Sequence, residues 1–399
     1  MRPRRLTVLL FAIAVLVSAA WVARPYAHGL SFVVRAAGIM GAARRVADLD
    51  ATPTLEREIT IPTGTGELRA RVYEPARSRR QAALLVDGPH PAGIDDPRLV
   101  SLARQLSGSG LTIVTPDIPE LSRFDLAPAI TDAIQQAGTW LSLEAALARD
   151  QKVALMGIGV GGGLSVVAAG RASMAGRVAL VLSFGGHDDL PRVLKYLCTG
   201  VEPRPANQVR LKADTTREDP TAFVRPPDSH AVAGLLLGLA HRLVPAGQVE
   251  PLREAIGRFL SAPPQSSADA PRAEGELESL RAAVKRMPEP SATLLRYLYA
   301  RDVAHLGARL LPYVNAYAAD PALSPSRSPK PSVPVFLLHG ADDNVVPAVE
   351  AEYLAEELRG HAPVRLLISG FASPAGAVAG MHTGEILKLA GFWGDLLSR

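Results

Sequence analysis

The sequence predicts a doubly wound α/β fold: a mostly parallel β-sheet with helices on both faces, a helical cap insertion and an N-terminal membrane helix. Three observations support it. Short apolar runs alternate with helix-length segments between residues 82 and 184, and again after residue 333. One run, Val153–Met156, stops abruptly at a glycine-rich turn that leads into a small-residue helix. The alternation is interrupted between Leu190 and Pro331.

The composition limits the class of protein. The chain has 399 residues, of which 48% are hydrophobic and 21% charged, enough apolar side chains for a large core. The net charge is +4, but no stripe of Lys and Arg interleaved with aromatic residues is present, so we expect no nucleic-acid partner. The single cysteine, Cys198, excludes an internal disulfide and is expected to be a small buried residue.

The first residues predict a membrane anchor. Three arginines among the first five residues precede the uncharged run Leu6–Ala23, which is at the short limit for a spanning helix. Cleavage after Ser18–Ala20 is the alternative. An uncleaved signal anchor is favoured because Trp21 and Arg24 suit a membrane interface and Gly29–Ala43 is a second apolar stretch. With the arginines inside, the chain is single-pass in the inner membrane and its main domain is periplasmic or extracellular.

The elements of the sheet follow in order. Residues Glu56–Pro75 alternate around a Pro62–Gly66 turn and predict a β-hairpin. Further strands are expected at Ala82–Val86, Leu111–Thr115, Val178–Phe184, Val333–Leu338 and Val364–Ile368, and helices at Pro97–Ser107, Leu126–Ala148, Glu350–Leu358 and Gly384–Leu397.

The interruption predicts a helical cap, residues 190–331, inserted in a domain of residues 51–399, with 1–50 as anchor and juxtamembrane segment. A separate helical domain is disfavoured because sheet-like sequence resumes afterwards. The expected cap helices lie near Ala231–Leu243, Pro251–Leu260, Glu274–Met287 and Ala292–Leu311.

The glycine-rich turn has two interpretations. Gly157-x-Gly159-x-x-Gly162 matches the dinucleotide fingerprint, which should follow the first strand of its domain and precede an acidic residue by about 20 positions. Here two strand-like runs come before it, and the predicted strand Leu180–Phe184 occupies the downstream window. The fingerprint is therefore disfavoured.

The second interpretation is the sharp G-x-S-x-G turn that presents a nucleophile at the end of a strand. On this chain the pentapeptide is Gly157–Gly161, and Gly159 stands at the serine position. Glycine adopts positive φ readily, so the backbone of the turn can persist although serine chemistry cannot.

A second motif, His339-Gly340-x-x-Asp343-x-x-Val346-Pro347, follows a predicted strand. With these motifs in this order, the chain resembles the α/β-hydrolase superfamily, esterases and dienelactone hydrolases in particular, over roughly residues 55–399. The resemblance implies that Asp343 is the acid that orients a catalytic histidine, the alternative being a solvated turn aspartate. His382 is the first histidine after the last strand and takes the triad position, or is a surface histidine.

The resemblance also implies an oxyanion hole, built from the N–H of Val160 and from the loop Gly88, Pro89 and His90. His187 follows another strand end, where ligands bind in open α/β sheets. It is either a ligand contact at the pocket edge or part of a hydrogen-bonded structural turn, and the turn is favoured.

Two functions compete. One is a degenerate hydrolase that binds a small, partly apolar carbonyl compound or carboxylate, or a partner, beneath the cap, with Leu235–Leu237 as an apolar wall. The other is a carboxylic ester hydrolase with a non-standard nucleophile, although Ser165, Ser183 and Cys198 are poorly placed for that role. No cofactor or metal is expected.

Overall fold

The computed structural model describes residues 21, 23–64, 66–77, 81–148, 150–203, 222–261, 278, 281, 284–370 and 383–399. Most of the predicted anchor Leu6–Ala23 and the whole loop that contains His382 lie outside these ranges. Among the helices that the structure describes, none is both long and apolar enough to span a bilayer.

An eight-stranded sheet forms the centre of the protein, in the order β1-β2-β4-β3-β5-β6-β9-β10. β1 and β2 form an antiparallel hairpin, β2 is antiparallel to β4, and the remaining neighbours are parallel. The prediction of a mostly parallel sheet is confirmed. The strands of this sheet are β1 Thr54–Thr63, β2 Gly66–Pro75, β3 Ala82–Val86, β4 Thr112–Pro116, β5 Val153–Ile158, β6 Val178–Phe184, β9 Val335–Gly340 and β10 Val364–Ser369.

Helices cover both faces of the sheet. Neighbouring side chains of a strand point to opposite faces of a sheet. In β3, Leu84 belongs to one buried cluster and Leu85 to the other, so both faces of the sheet need a cover of helices. The helices outside the insertion are α1 (residues 23–36), α2 Ala42–Asp48, α3 Pro97–Gly108, α4 Pro119–Ser122, α5 Ala129–Leu143, α6 Val160–Gly170, α12 Val349–Leu358 and α13 Thr383–Leu397.

The insertion between β6 and β9 is largely helical where it is described. Its apolar side chains, such as Leu236 and Leu239, join the same buried cluster as those of α5 and α6. The predicted helix Glu274–Met287 falls mostly outside the described residues. The elements of the insertion are α7 Leu190–Thr199, α8 Ser229–Leu243, α9 Ala246–Ser261, α10 Ser291–Tyr299 and α11 Val303–Tyr317, with a short antiparallel pair, β7 Val201–Pro203 and β8 Ala222–Val224.

One predicted helix is two helices. The segment Ala292–Leu311 breaks between α10 and α11, where Arg301 has a φ of 54°. The side chain of Asp302 then caps α11 by accepting a hydrogen bond from the N–H of His305. Apolar residues keep a helical period across the break, so the sequence pattern does not reveal it.

The segment after the predicted anchor belongs to the folded domain. Phe32 and Val33 of α1 are buried in the cluster on one face of the sheet, and the Phe32 ring centroid is 4.3 Å from that of Trp393. A Cβ on Gly29 would lie 2.1 Å from the carbonyl oxygen of Ala390, so α1 and α13 approach at backbone distance. The proposed division at residue 50 therefore does not coincide with a packing boundary.

Candidate functional site

The turn after β5 has at its centre a backbone conformation that glycine adopts readily and other residues rarely adopt. Gly159 has φ 53° and ψ −129°, and its N–H donates to the carbonyl of Phe184 at 2.8 Å. A Cβ built on Gly159 would meet no atom within 4 Å. The position that would carry a nucleophile therefore projects into open space, and α6 begins at the next residue.

The flanking glycines are required for a different reason. A Cβ on Gly157 would lie 2.2 Å from the carbonyl oxygen of Gly161, and a Cβ on Gly161 would lie 2.3 Å from that of Asp87. Strand, helix and the loop after β3 thus meet at backbone distance. The predicted strand–turn–helix at Lys152–Gly170 is confirmed, on the fifth of the eight strands.

A mixed sheet of this order, with the sharp turn and a helix at the end of its fifth strand, decides the architecture. The protein has the α/β-hydrolase fold. In this fold a sharp turn at this strand end is the nucleophile elbow, and the elbow of this chain has glycine, Gly159, at its centre.

Comparisons with solved structures find hydrolases at low sequence identity. The chain is similar to an esterase of Pyrobaculum calidifontis, with 17% identity and a TM-score of 0.46 over 88% of this chain and 89% of that one. It is similar to a dienelactone hydrolase of Anabaena variabilis, with 15% identity and a TM-score of 0.41 over 86% of this chain and 96% of that one. It is also similar to the rice cell wall degrading esterase LipA of Xanthomonas oryzae, with 15% identity and a TM-score of 0.47 over 86% of this chain and 89% of that one. No protein-family model and no curated protein matches the chain.

Asp343 lies beside the elbow. Its Oδ1 accepts hydrogen bonds from the N–H groups of Val345 (2.9 Å) and Val346 (3.0 Å). Its Oδ2 lies 3.3 Å from the place that a Cβ would take on Gly185, and the same place is 4.0 Å from the nitrogen of Gly159. The carboxylate is thus fixed by its own turn, and its Oδ2 and the nitrogen of Gly159 both lie close to Gly185.

Groups from two other parts of the chain hold the acid-bearing turn. The buried His339 lies 3.7 Å from Asp343 Oδ2, and its Nε2 donates to the carbonyl of Val346 at 2.8 Å. From the insertion, the Arg225 guanidinium donates to the carbonyl of Asp343 at 3.4 Å, and Asp228 N–H donates to that of the following residue at 2.9 Å. The insertion therefore also holds the turn that carries Asp343 through hydrogen bonds, in addition to covering the sheet.

The third triad position is outside the described residues. His382 precedes α13 in the sequence, and the structure describes nothing between residues 370 and 383. Its assignment as the triad histidine stays a prediction.

The predicted oxyanion hole keeps only part of its donors. Val160 is the first residue of α6, so its N–H has no acceptor within the helix, and a Cβ on Gly88 would lie 3.9 Å from that nitrogen. The N–H of Gly88, however, donates to Asp87 Oδ1 at 2.8 Å, and Pro89 has no N–H. In contrast to the prediction, neither Gly88 nor Pro89 has a free N–H for a ligand. Of the three predicted loop residues, this leaves the backbone N–H of His90.

Asp87, at the end of β3, is a site residue that sequence reasoning missed. Its Oδ1 accepts the Gly88 N–H, while its Oδ2 is buried and has no hydrogen-bond partner. Burial raises the pKa of this carboxyl to about 7, with the negative charge of Asp96 adding to the effect and the Gly88 hydrogen bond opposing it. A carboxyl with this pKa can take up or release a proton near neutral pH.

Two histidines lie near the loop after β3. His90 Nδ1 is 3.6 Å from Asp96 Oδ2, and burial lowers its pKa. His230, in the first turn of α8, is close enough for its charge to lower the pKa of His90 further, and its own pKa is lowered by burial. The ring of His230 stacks on Phe259 at 5.1 Å. Nothing in the sequence pattern singles out His230, because α8 has the pattern of an apolar helix.

His187 is not at the pocket edge. It is fully buried; its Nε2 donates to the carbonyl of Leu323 at 2.8 Å, and its ring packs against Gly163 of α6. The neighbouring Asp188 pairs with Arg192 at 3.0 Å. The favoured alternative, a hydrogen-bonded structural turn, matches these contacts, and the assignment of His187 as a ligand contact is wrong.

Two cavities, of about 410 and 420 Å³, open between the cap and the connection from β4 to α5. Leu237, one residue of the predicted apolar wall, lines the first, whereas Leu235 and Leu236 are buried in the core. The first is lined by Pro91, Ser122, Arg123, Phe124, Leu237, Glu250, Arg253, Glu254, Gly257 and Leu260. The second is lined by Arg123, Asp125, Gly238, His241 and Arg253. Pro91 connects the first cavity to the loop after β3, but Gly159 lines neither.

Proposed function

We propose that this protein is a membrane-anchored α/β-hydrolase-fold protein that has lost serine catalysis and uses the remaining site to bind a ligand. The observation that carries the proposal is Gly159. The elbow has positive φ at its centre and open space at the Cβ position, and Asp343 lies nearby, although no side chain is present to react. Pro89 removes a second element of catalysis, because it cannot donate to an oxyanion.

The proposed ligand is a small, partly apolar carbonyl compound or carboxylate. The N–H of Val160 at the start of α6 supports this, since the N-terminal end of a helix attracts negative charge. The apolar side chains of Phe124, Leu237 and Leu260, in the cavity next to Pro91, suit the hydrocarbon part of such a molecule.

The proposed location is the inner membrane, with a single span at Leu6–Ala23 and the hydrolase-fold domain on the periplasmic or extracellular side. The order of basic and apolar residues supports it. Fractionation of cells, followed by protease treatment from the outer side, tests the location. A soluble mature chain beginning near Trp21 would show that the segment is a cleaved signal.

The decisive experiment restores the missing side chain. Gly159→Ser and its control Gly159→Ala both add a Cβ to the same open space, at a cost of about 1–3 kcal/mol in stability from the positive φ. We expect fluorophosphonate to leave the wild type and Gly159→Ala unlabelled and to label Gly159→Ser, if Asp343 still supports a histidine. Stoichiometric labelling of a serine in the wild type would overturn the proposal.

Asp87 favours the second candidate function, a carboxylic ester hydrolase without serine. With its pKa near 7, this carboxylate can accept the proton of a water molecule that attacks an ester carbonyl, after which the alcohol leaves. Hydrolysis of short-chain aryl esters would decide between the two. Turnover by the wild type that is lost in Asp87→Asn and rises with an apparent pKa near 7 would replace the binding proposal; no turnover would exclude this alternative.

A further inference from the structure

Exposed apolar side chains are concentrated in one part of the described chain. The four most exposed large hydrophobic residues are Trp21, Met40, Val46 and Leu49, at 75%, 79%, 67% and 86% exposure. The next most exposed, Leu55, follows directly in the sequence. Large apolar side chains that cluster on a surface mark a place of interaction.

Three of these residues form an apolar edge on and around α2. Val46 and Leu49 are three positions apart and so lie on one face, while Ala47 is buried on the opposite side. Met40 lies two residues before the first residue of the helix. Arg45 is exposed beside this edge, and Arg44 is paired with Asp48. Apolar residues flanked by arginine are typical of segments that lie in the interface of a bilayer.

The domain holds this edge in a fixed position relative to Trp21. Trp21 is helical, and α1, which follows it, is packed against α13. The chain then turns back, because His28, in the second turn of α1, contacts Asp50 through Nδ1 at 2.5 Å and the carbonyl of Ser109 through Nε2 at 3.1 Å. About seven residues of helix, roughly 10 Å, separate His28 from Trp21. The end of α2 therefore lies near the entry point of the proposed span.

We propose that residues 40–49 lie on the lipid surface and seat the domain against the bilayer. This inference rests on the proposed membrane anchor. Since the predicted span ends at Ala23 and α1 is packed into the domain, the surface around Trp21 lies next to the headgroups. There Met40, Val46 and Leu49 enter the apolar boundary, and Arg45 meets anionic phosphates.

The test uses the full chain in vesicles of phosphatidylcholine and phosphatidylglycerol. Leu49→Cys is labelled with the fluorophore NBD, and nitroxide-labelled lipids serve as quenchers. The matched control is Leu143→Cys, at the end of α5, which is also exposed. Cys198 stays unlabelled, because it is buried and burial raises the pKa of its thiol to about 12.

We expect blue-shifted emission at position 49 and about threefold stronger quenching by the lipids than at position 143, as for a face inserted about 5–10 Å into the boundary. Equal quenching at the two positions in vesicles that carry the protein would overturn the inference and leave the anchor standing. A blue shift without lipid quenching would show that a second copy covers the face, and would also overturn it. A chain that does not float with the vesicles would reject the anchor itself, and the lipid contact with it.

Discussion

Single residues decide what this site can do, and they differ in how far the sequence reveals them. Gly159 at the serine position and Pro89 without an N–H can both be read from the chain once the motifs are aligned. Asp87 cannot, because its altered pKa depends on burial and on a missing partner for Oδ2, which only the packed structure supplies. His187 shows the opposite error. Its place at a strand end suggests a ligand contact, but the residue is buried against α6, the helix that follows the elbow.

Asp87 should make stability depend on pH. Because burial raises its pKa from 3.8 to about 7, the folded protein retains a proton that the unfolded chain has lost over this interval. Its favourable contribution is therefore complete below about pH 4 and disappears as the pH rises toward 7. Between about pH 5 and pH 8 the unfolding free energy of the wild type should fall by about 2–3 kcal/mol more than that of Asp87→Asn.

Urea unfolding at the two pH values, followed by tryptophan fluorescence, measures this difference. The control is Glu67→Gln, an exposed carboxylate on β2, which should keep the wild-type dependence. Parallel behaviour of the wild type and Asp87→Asn would mean that the Asp87 carboxyl is ionised in the folded protein throughout.

At the scale of elements, the predicted limits agree with the structure where breakers bound an element and disagree where an apolar pattern continues past its end. β3 and β6 begin and end at the predicted residues, because they are apolar runs bounded by breakers. The predicted helix Leu126–Ala148 is shorter in the structure, where α5 starts after Pro128 and ends at Leu143. The exposed Leu143 and the buried Leu147 prolong an apolar pattern that the backbone does not follow.

The close packing at the elbow predicts that replacing a helix glycine by alanine has different effects on stability at two positions. In Gly161→Ala, the new Cβ would lie 2.3 Å from the carbonyl oxygen of Asp87, so strand and helix must separate, and we expect a loss of about 3 kcal/mol or more in the free energy of unfolding. The same substitution at Gly257 in α9 meets no atom within 4 Å and should stabilise the protein by about 1 kcal/mol.

Opposite signs for these two variants in urea unfolding would confirm the close approach at the elbow. If Gly161→Ala were as stable as Gly257→Ala, the helix and the loop after β3 would have to be farther apart than described.

For the whole molecule, the sequence predicts the sheet but not how its first helix packs. The strands of the sheet follow from alternation and a recognisable turn, both of which are local. The contact of α1 with α13 joins residues more than 350 positions apart. It is made at Gly29 and Gly394, which have no side chains, so no apolar pattern predicts it. Residues Gly29–Ala43 therefore read as an apolar extension of the anchor, although their buried part belongs to the core.

The contact between the terminal helices should be sensitive to added volume. In Gly29→Val the side chain would collide with backbone atoms of Ala390 and Gly394, which cannot give way as a side chain would. We expect a loss of about 3 kcal/mol and a clearly lower melting temperature. The control is Ala27→Val on the exposed side of α1, with little change expected. Equal melting temperatures for the two variants in the same detergent would show that α1 does not support the domain.

The same contact sets an order of events while the protein is being made. α1 leaves the ribosome long before its partner α13, because the sheet and the insertion are synthesised between them. At a synthesis rate of about 5–20 residues per second, the buried face of α1 waits roughly 20–70 s for α13. During that time Phe32 and Val33 lack their final cover, so a chain that stops early exposes them to chaperones and proteases. Burial of this face of α1 thus depends on the synthesis of α13.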